Sequence, residues 1–311
     1  MLAVKVLQEQ DIDLVGISFV TPFFGPGPGL EAGRKTGIEL LSIDISEVHL
    51  QMLKNPRYGY GSNMNPCIDC HGLMLREAGK IMEREGADFL FTGEVLGQRP
   101  MSQRRDSMRS VEKLSGYLGR ILRPLSAKLL PPTTVEEEGL VDRSRLLDIQ
   151  GRSRKRQAEL AQKYGITDYP QPGGGCMLTK EGFSNRLRQL LRIHPEAGVQ
   201  DVEIIKRGRA FILPGGTICM VGRQESDNIE LASHSRDKDI QLRSISHLGP
   251  TCLMLAPSSE RIDLELAAGL VASYSDAPEN AEVEIQWTHG SESGMLRTVA
   301  KNSKDFRQWL I

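Results

Sequence analysis

Over its first two thirds the chain alternates short apolar runs with amphipathic stretches. Residues 1–9 (MLAVKVLQE) place Leu2, Val6 and Leu7 at helical spacing. The β-branched run DLVGISFV at 13–20 reads as a buried parallel strand, followed by a Pro/Gly loop, TPFFGPGPG, at 21–29. GIELLSIDI at 37–45 is a second strand-like run, and SEVHLQMLK after it begins a helix with Ser46 as N-cap. LMLREAGKIMEREG at 73–86 predicts an amphipathic helix stopped by Gly86, with ADFLFTGE as the next buried strand. This alternation predicts an α/β fold built on a doubly wound parallel sheet. The strand and Gly-rich phosphate loop that usually open such a domain are missing, because the first element is already the helix that would come after them.

Residues 98–112 are polar and Arg-rich and suit an exposed segment, 143–165 read as helices with a Gly interruption, and QPGGGC at 171–176 is a turn. FSNRLRQLLRIHP at 183–195 is a helix that Pro195 closes. From about residue 200 the texture changes, with DVEIIKRGRAFILPGGTICMVGR reading as two strands around a PGG turn. Short β segments and a helix at 262–275 complete the chain. The expected organisation is a doubly wound domain over 1–197 and a smaller α+β domain over 198–311.

No apolar run approaches the roughly 18–20 residues of a membrane span, and MLAVKVLQEQDIDL lacks the features of a secretory signal. A cytoplasmic protein is the expectation. Net charge is -1, so local charge says more than the total. Arg104, Arg105 and Arg109 cluster, as do Arg152, Arg154, Lys155 and Arg156, and Lys206, Arg207 and Arg209. Each cluster alone reads as a solvated surface; several together favour a polyanionic partner.

Five cysteines without an export signal argue against a disulfide framework and turn attention to metal binding or reactive thiols. Cys67-Ile-Asp-Cys70-His71 is the sharpest local feature. As CxxCH it also matches a haem-attachment string, a reading that needs export. Cys176 follows Gly173-Gly174-Gly175, a context that exposes it in a turn. A structural zinc wants four protein ligands, and His71 is an awkward fourth beside Cys70. Three cysteines suit a [4Fe–4S] cluster with one iron left open, and equally thiol chemistry in which one cysteine carries a persulfide and another resolves it. Cys219 and Cys252 sit inside apolar strands and read as core. Thr92-Gly93-Glu94 falls at the carboxyl end of a predicted strand, where open α/β sheets bind ligands.

Taken together, Thr92-Gly93-Glu94-Val95-Leu96-Gly97-Gln98, Met101-Ser102-Gln103, Asp106-Ser107-Met108 and Arg123-Pro124-Leu125 resemble the tRNA 4-thiouridine synthases of the PP-loop ATP pyrophosphatase superfamily. The family pattern is TGE-x-LGQ-x-x-SQ, and one extra residue precedes Ser102 here. The resemblance covers roughly residues 1–190. It implies that Gly93 and Gln103 contact ATP, with Phe19 and Val20 near the adenosine and Mg2+ alongside. It further implies adenylation of a uridine carbonyl oxygen, which makes that oxygen a leaving group for sulfur to displace. Cys176 lies where a core-domain cysteine occurs in these enzymes, so Cys67 and Cys176 are the candidate catalytic residues.

The SGGxDS phosphate loop is missing, and MLAVKV resembles the segment directly C-terminal to that loop, which points either to truncation or to lost ATP turnover. His71 stands where a nucleotide-contacting arginine is expected, and the family's usual RNA-binding and rhodanese-like modules are absent. The cysteine layout resembles the iron–sulfur-dependent tRNA thiolation enzymes, in which a CxxC and a distant third cysteine hold a [4Fe–4S] cluster. That implies Cys67, Cys70 and Cys176 as ligands, with zinc as the alternative. Residues about 200–309 are similar to the RNA-binding domain of NFACT proteins, through Gly222-Arg223, Asn228, Glu230 and the stretch Asp239–Leu255 with His247, Gly249 and Pro250. On that similarity Arg209, Arg223, Arg236 and Arg243 become candidate phosphate contacts. The expected function is a tRNA sulfurtransferase. Its expected partners are tRNA and a sulfur donor, either sulfide or a persulfide carrier, with a homodimer left open. The competing expectation is a non-catalytic RNA-binding protein with a degenerate nucleotide domain.

Overall fold

In the computed structural model, which describes residues 1–169, 176–256 and 261–311, the apolar run at 13–20 forms β1 (Val15–Val20) after helix α1 (Leu2–Gln8). The Pro/Gly stretch is a loop only in its first half. Thr21 and Phe24 bridge each other, and α2 (Gly27–Thr36) then starts with a proline in its first turn, where no backbone donor is needed. β2 (Glu39–Asp44) pairs parallel with β1, and α3 (Ser46–Lys54) buries His49, Leu50 and Leu53 on one face.

Helix α4 (Cys67–Glu85) begins six residues earlier than the amphipathic pattern alone predicts, so the CxxC lies inside its first turn. Asp69, between the cysteines, accepts from the Arg57 and Tyr58 backbone N–H groups at 2.8 and 3.0 Å. These bonds hold the preceding loop against the helix. The strand predicted at 87–94 shortens to β3 (Leu90–Phe91), parallel to β4 (Ile121–Leu122). Between them the Arg-rich segment, expected to be exposed, folds into α5 (Arg105–Ser115), which lays Met108, Val111 and Ser115 against α4 and stops at Gly116. The short helices α6 (Thr134–Glu137) and α7 (Lys155–Lys163) come next. Among the described residues the parallel strands therefore stand as two separate pairs, not as one continuous doubly wound sheet. One apolar cluster joins Ala3, Val6, Leu7, Val95, Leu122 and Ile149; another joins Leu75, Ala78, Met82, Leu90, Val111 and Ile121, with Phe19 and Ile68 against it.

The chain divides into two units, Met1–Thr179 and Lys180–Ile311. Helices α8 (Glu181–Ile193) and α9 (Val199–Ile205) pack on each other, so α8 falls in the second unit, ahead of the boundary expected near 197. That unit is a six-stranded antiparallel sheet made of β5 (Arg209–Ile212), β6 (Ile218–Val221), β7 (Ile240–Ser244), β8 (Cys252–Leu255), β9 (Glu282–His289) and β10 (Glu292–Val299). The order is β10-β9-β7-β8-β6-β5. Helices α10 (Glu225–Ser233) and α11 (Arg261–Ser273) complete it. Its core joins Phe211, Val221, Leu242, Val283 and Ile285 to Ala267, Leu270 and Val271 of α11. Cys219 and Cys252 lie fully buried in this core, as their apolar strands imply. No helix among the described residues is long and apolar enough to cross a membrane.

Gly208 sits at φ 57° before β5, and a Cβ there would collide with the Val221 carbonyl. Backbone on one side and left-handed strain on the other leave alanine no cheap escape. Gly208→Ala is expected to destabilise the unit by about 2–4 kcal/mol. Urea unfolding should show that loss; an unchanged midpoint would contradict the close approach.

Candidate functional site

Cys67 and Cys70 are one helical turn apart at the start of α4, on neighbouring positions of its surface. Cys176 arrives from the far end of the unit, just before a short 3-10 turn at Met177–Thr179. Two hydrogen bonds place that turn. The Met177 backbone N–H donates to the Phe23 carbonyl at 3.1 Å, and Asn63 Nδ2 donates to the Thr179 carbonyl at 2.9 Å. The three thiols come within electrostatic reach of one another. Burial pushes the Cys70 thiol pKa up, and Cys176 and Cys67 add to the rise. Burial likewise raises that of Cys176. Gly173, Gly174 and Gly175, on which the expected turn rests, lie outside the described residues.

Each α4 cysteine has a polar neighbour. Asn65 Nδ2 donates to Cys67 Sγ at 3.3 Å and lies 3.5 Å from Met101 Sδ. His49 Nε2 stands 3.2 Å from Cys70 Sγ. His49 is fully buried between the Phe23 and Phe24 rings, with centroids at 5.3 and 5.7 Å. Desolvation lowers its pKa to about 4, so the imidazole is neutral near pH 7, and its Nδ1 has no hydrogen-bond partner. Among the described residues no three His, Cys, Asp or Glu side chains are placed to hold a single metal ion. The sequence reading missed His49. Its signal was a histidine in register with Leu50 and Leu53 on the apolar face of a predicted helix.

His71 belongs to a different network. Its Nδ1 lies 2.8 Å from Glu94 Oε1, and Arg123 Nε donates to Glu94 Oε2 at 3.0 Å. Arg123 also pairs with Glu112, and Thr92 Oγ1 donates to Glu94 at 3.2 Å. Burial pushes Glu94 up, but the His71 and Arg123 contacts outweigh it and hold the carboxyl at a pKa of about 2. Three separate motif segments, the CxxCH, the TGE and the RPL, thus meet on one buried carboxylate. Spacing in the sequence gave no sign of that meeting.

Of the expected nucleotide contacts, Gly93 is exposed, with open space where a Cβ would stand. Gln103 is buried, and its Oε1 has no hydrogen-bond partner. Phe19 and Val20 are half-buried at the end of β1, Phe19 packing against the same apolar cluster as Ile68 of the CxxC.

In the second unit the four candidate arginines separate. Arg236 is tied internally, to Asp239 at 2.7 Å and Asp201 at 2.7 Å. Arg243 lies exposed on the sheet, donating through Nε and Nη2 to Gln286 Oε1. Arg209 donates to the Gly222 carbonyl at 3.3 Å, with its guanidinium 4.7 Å over the Tyr274 ring. Arg223 pairs with Asp227 at 3.1 Å. Several residues that carry the NFACT similarity prove architectural. Asn228 Oδ1 accepts the Thr251 N–H at 2.9 Å, and only a glycine at 222 leaves room for it. Glu230 pairs with Arg207.

No curated protein matches the chain. The solved C-terminal part of the fibronectin/fibrinogen-binding protein from Streptococcus suis is similar at 14% identity. The match covers 78% of this chain and 94% of that one, with a TM-score of 0.28 that is too low to carry the fold across. The family model of the NFACT protein RNA-binding domain matches residues 208–310, from the residue before β5 to the penultimate position. The C-terminal unit therefore carries an NFACT-type RNA-binding domain.

Proposed function

We propose that this chain thiolates RNA, as a PP-loop tRNA thiouridine synthase in which Cys67, Cys70 and Cys176 hold a [4Fe–4S] cluster. The observation that carries the reading is that Cys176, more than a hundred positions from Cys67 and Cys70 in the chain, comes within electrostatic reach of both, in a protein with an RNA-binding domain. The donor set favours a cluster over zinc. A tetrahedral zinc with bonds of about 2.3 Å needs its sulfurs gathered on one ion. A cluster gives each cysteine its own iron and accepts three thiols that interact without converging. When bound, such a cluster supplies an open iron for a small sulfur ligand. The chain's own part is to orient the ligands: Asn65 fixes the Cys67 sulfur, and the neutral His49 imidazole fixes that of Cys70.

ATP with Mg2+ would supply the adenylyl group that turns a uridine oxygen into a leaving group. Gly93 offers open backbone for close approach, Gln103 an unused buried acceptor, and Phe19 and Val20 an apolar side for the adenosine. The His71–Glu94–Arg123 network would keep the Thr92-Gly93-Glu94 turn rigid while substrates exchange.

A second reading, a non-catalytic RNA-binding protein, is favoured by one finding: the family match reaches only the C-terminal unit. Mass spectrometry of tRNA nucleosides from cells lacking this chain separates the two. The first reading expects one thiolated uridine to vanish; an unchanged set of thiolated nucleosides would leave the second.

A further inference from the structure

Three guanidinium groups crowd around the start of β5 and the end of β6. Arg186 reaches from α8 and donates to the Ile205 carbonyl at 3.2 Å and the Arg207 carbonyl at 3.5 Å. Arg209 donates to the carbonyl of Gly222, and Arg223 is the next residue. The backbone around them is rigid, since Gly208 lies against Val221 and Gly222 against Asn228.

Their charges are poorly balanced. Asp227 binds Arg223, whereas the hydrogen bonds of Arg186 and Arg209 go to main-chain carbonyls, which satisfy donors without neutralising charge. The flanking cations already have acids, Lys206 with Glu203 and Arg207 with Glu230. Among the described residues the cluster therefore holds three positive charges against one carboxylate, Asp227, which faces both Arg223 and Arg186. Burial and then the neighbouring Arg223 lower the proton affinity of Arg186, and Asp227 offsets part of that, so Arg186 and Arg223 stand within electrostatic reach of each other and of the same carboxylate. Arg223 is exposed, while Arg186 and Arg209 are half-buried and pre-positioned, Arg209 by the Tyr274 ring.

We propose that Arg186, Arg209 and Arg223 form a phosphate-binding site for the RNA backbone at this end of the sheet. Planar guanidinium groups held in fixed positions match phosphate oxygens bidentately, which flexible lysines do not. The site rests on the RNA-binding reading of this unit and adds to it a residue, Arg186, that lies before the matched segment 208–310. It also ranks the surface: Arg236 is committed to Asp201 and Asp239, and backbone contacts concentrate around Arg223.

The test is fluorescence anisotropy of the full chain with a fluorescein-labelled single-stranded RNA and with a tRNA transcript, across a KCl series. The double variant Arg186→Gln/Arg223→Gln should bind about 10–100-fold more weakly to both RNAs. The slope of log K against log salt should fall by about 1.4–1.8, the loss of two phosphate contacts. Arg186→Lys/Arg223→Lys should recover most of the slope. Arg297→Gln, on β10 beside Glu282 and Glu284, removes one exposed charge elsewhere and should bind as the wild type does. Circular-dichroism melting checks folding, and Arg223→Glu, at an exposed position, repeats the test without touching the Arg186 carbonyl contacts. Wild-type RNA binding with an unchanged affinity and slope in the double variant and in Arg223→Glu would overturn the site while leaving the RNA-binding reading intact. A wild-type chain that binds neither RNA would overturn both.

Discussion

Replacing Arg123 by alanine is expected to destabilise the N-terminal unit by about 3–5 kcal/mol. Arg123 and Glu94 are almost wholly enclosed, with 3% and 8% of their side chains exposed. Removing the guanidinium leaves Glu94 with His71 and Thr92 and strips Glu112 of its partner. Most of the cost is the buried carboxylate left uncompensated, not the lost attraction. Pairing Arg123→Met with Glu94→Gln should therefore cost less than the sum of the single changes. Urea titrations read this directly, and additive losses would contradict a shared network. The same carboxylate makes a pH prediction. Its folded pKa, about 2, lies below the ordinary 4.5, so its stabilisation is present above pH 4.5 and is lost as pH falls toward 2. The window carries roughly 3 kcal/mol. A Glu94→Gln chain should lack that acid-dependent loss; an identical acid profile in wild type and variant would assign it elsewhere.

Cys70→Ala is expected to reduce the iron and sulfide of anaerobically reconstituted protein to below about a tenth of wild type. The Cys70 thiol lies within electrostatic reach of both Cys67 and Cys176. Burial raises its pKa, so the free side chain stays protonated, and a cationic cluster is what would draw off the proton. The lost sulfur would remove one ligand from the proposed cluster and leave His49 facing a cavity. Cys219→Ala, in the core of the other unit, should keep full iron. Full iron in Cys70→Ala would show that the three thiols do not act as one ligand set. His49→Ala should retain part of the iron and shift the charge-transfer absorbance, because it touches Cys70 without being a ligand in the proposed cluster.

Much of this fold was legible from the hydrophobic pattern. The run at 13–20, the amphipathic stretch ended by Gly86 and the antiparallel pair around the PGG turn all became elements near their predicted places. What failed had physical reasons. Helix α5 was read as exposed because Met108 and Val111 are the only large apolar side chains among its arginines before Leu114, yet these three, with Leu114 lying against Gly72, share the face that α5 turns to α4. The start of α4 was misplaced because its first turn is built from cysteines, Asp69 and a proline cap, which carry little hydrophobic signal. The site was half legible. CxxC spacing marked Cys67 and Cys70, but His49 and the Glu94–Arg123 pair owe their roles to contacts over 21 and 29 positions, which local patterns do not encode. Arg236 shows the converse, a surface-looking arginine whose partners, Asp201 and Asp239, lie 35 and 3 positions away.

The central claim is that the three cysteines transfer sulfur to RNA, and it is tested most directly by nucleoside mass spectrometry on tRNA from a deletion strain carrying plasmid copies of this gene. The wild-type copy should restore the missing thiolated uridine, while Cys67→Ala, Cys70→Ala and Cys176→Ala copies, expressed to the same level, should restore none. Restoration by any of the three cysteine variants, or a deletion strain whose tRNA keeps every thiolated nucleoside, would contradict the account.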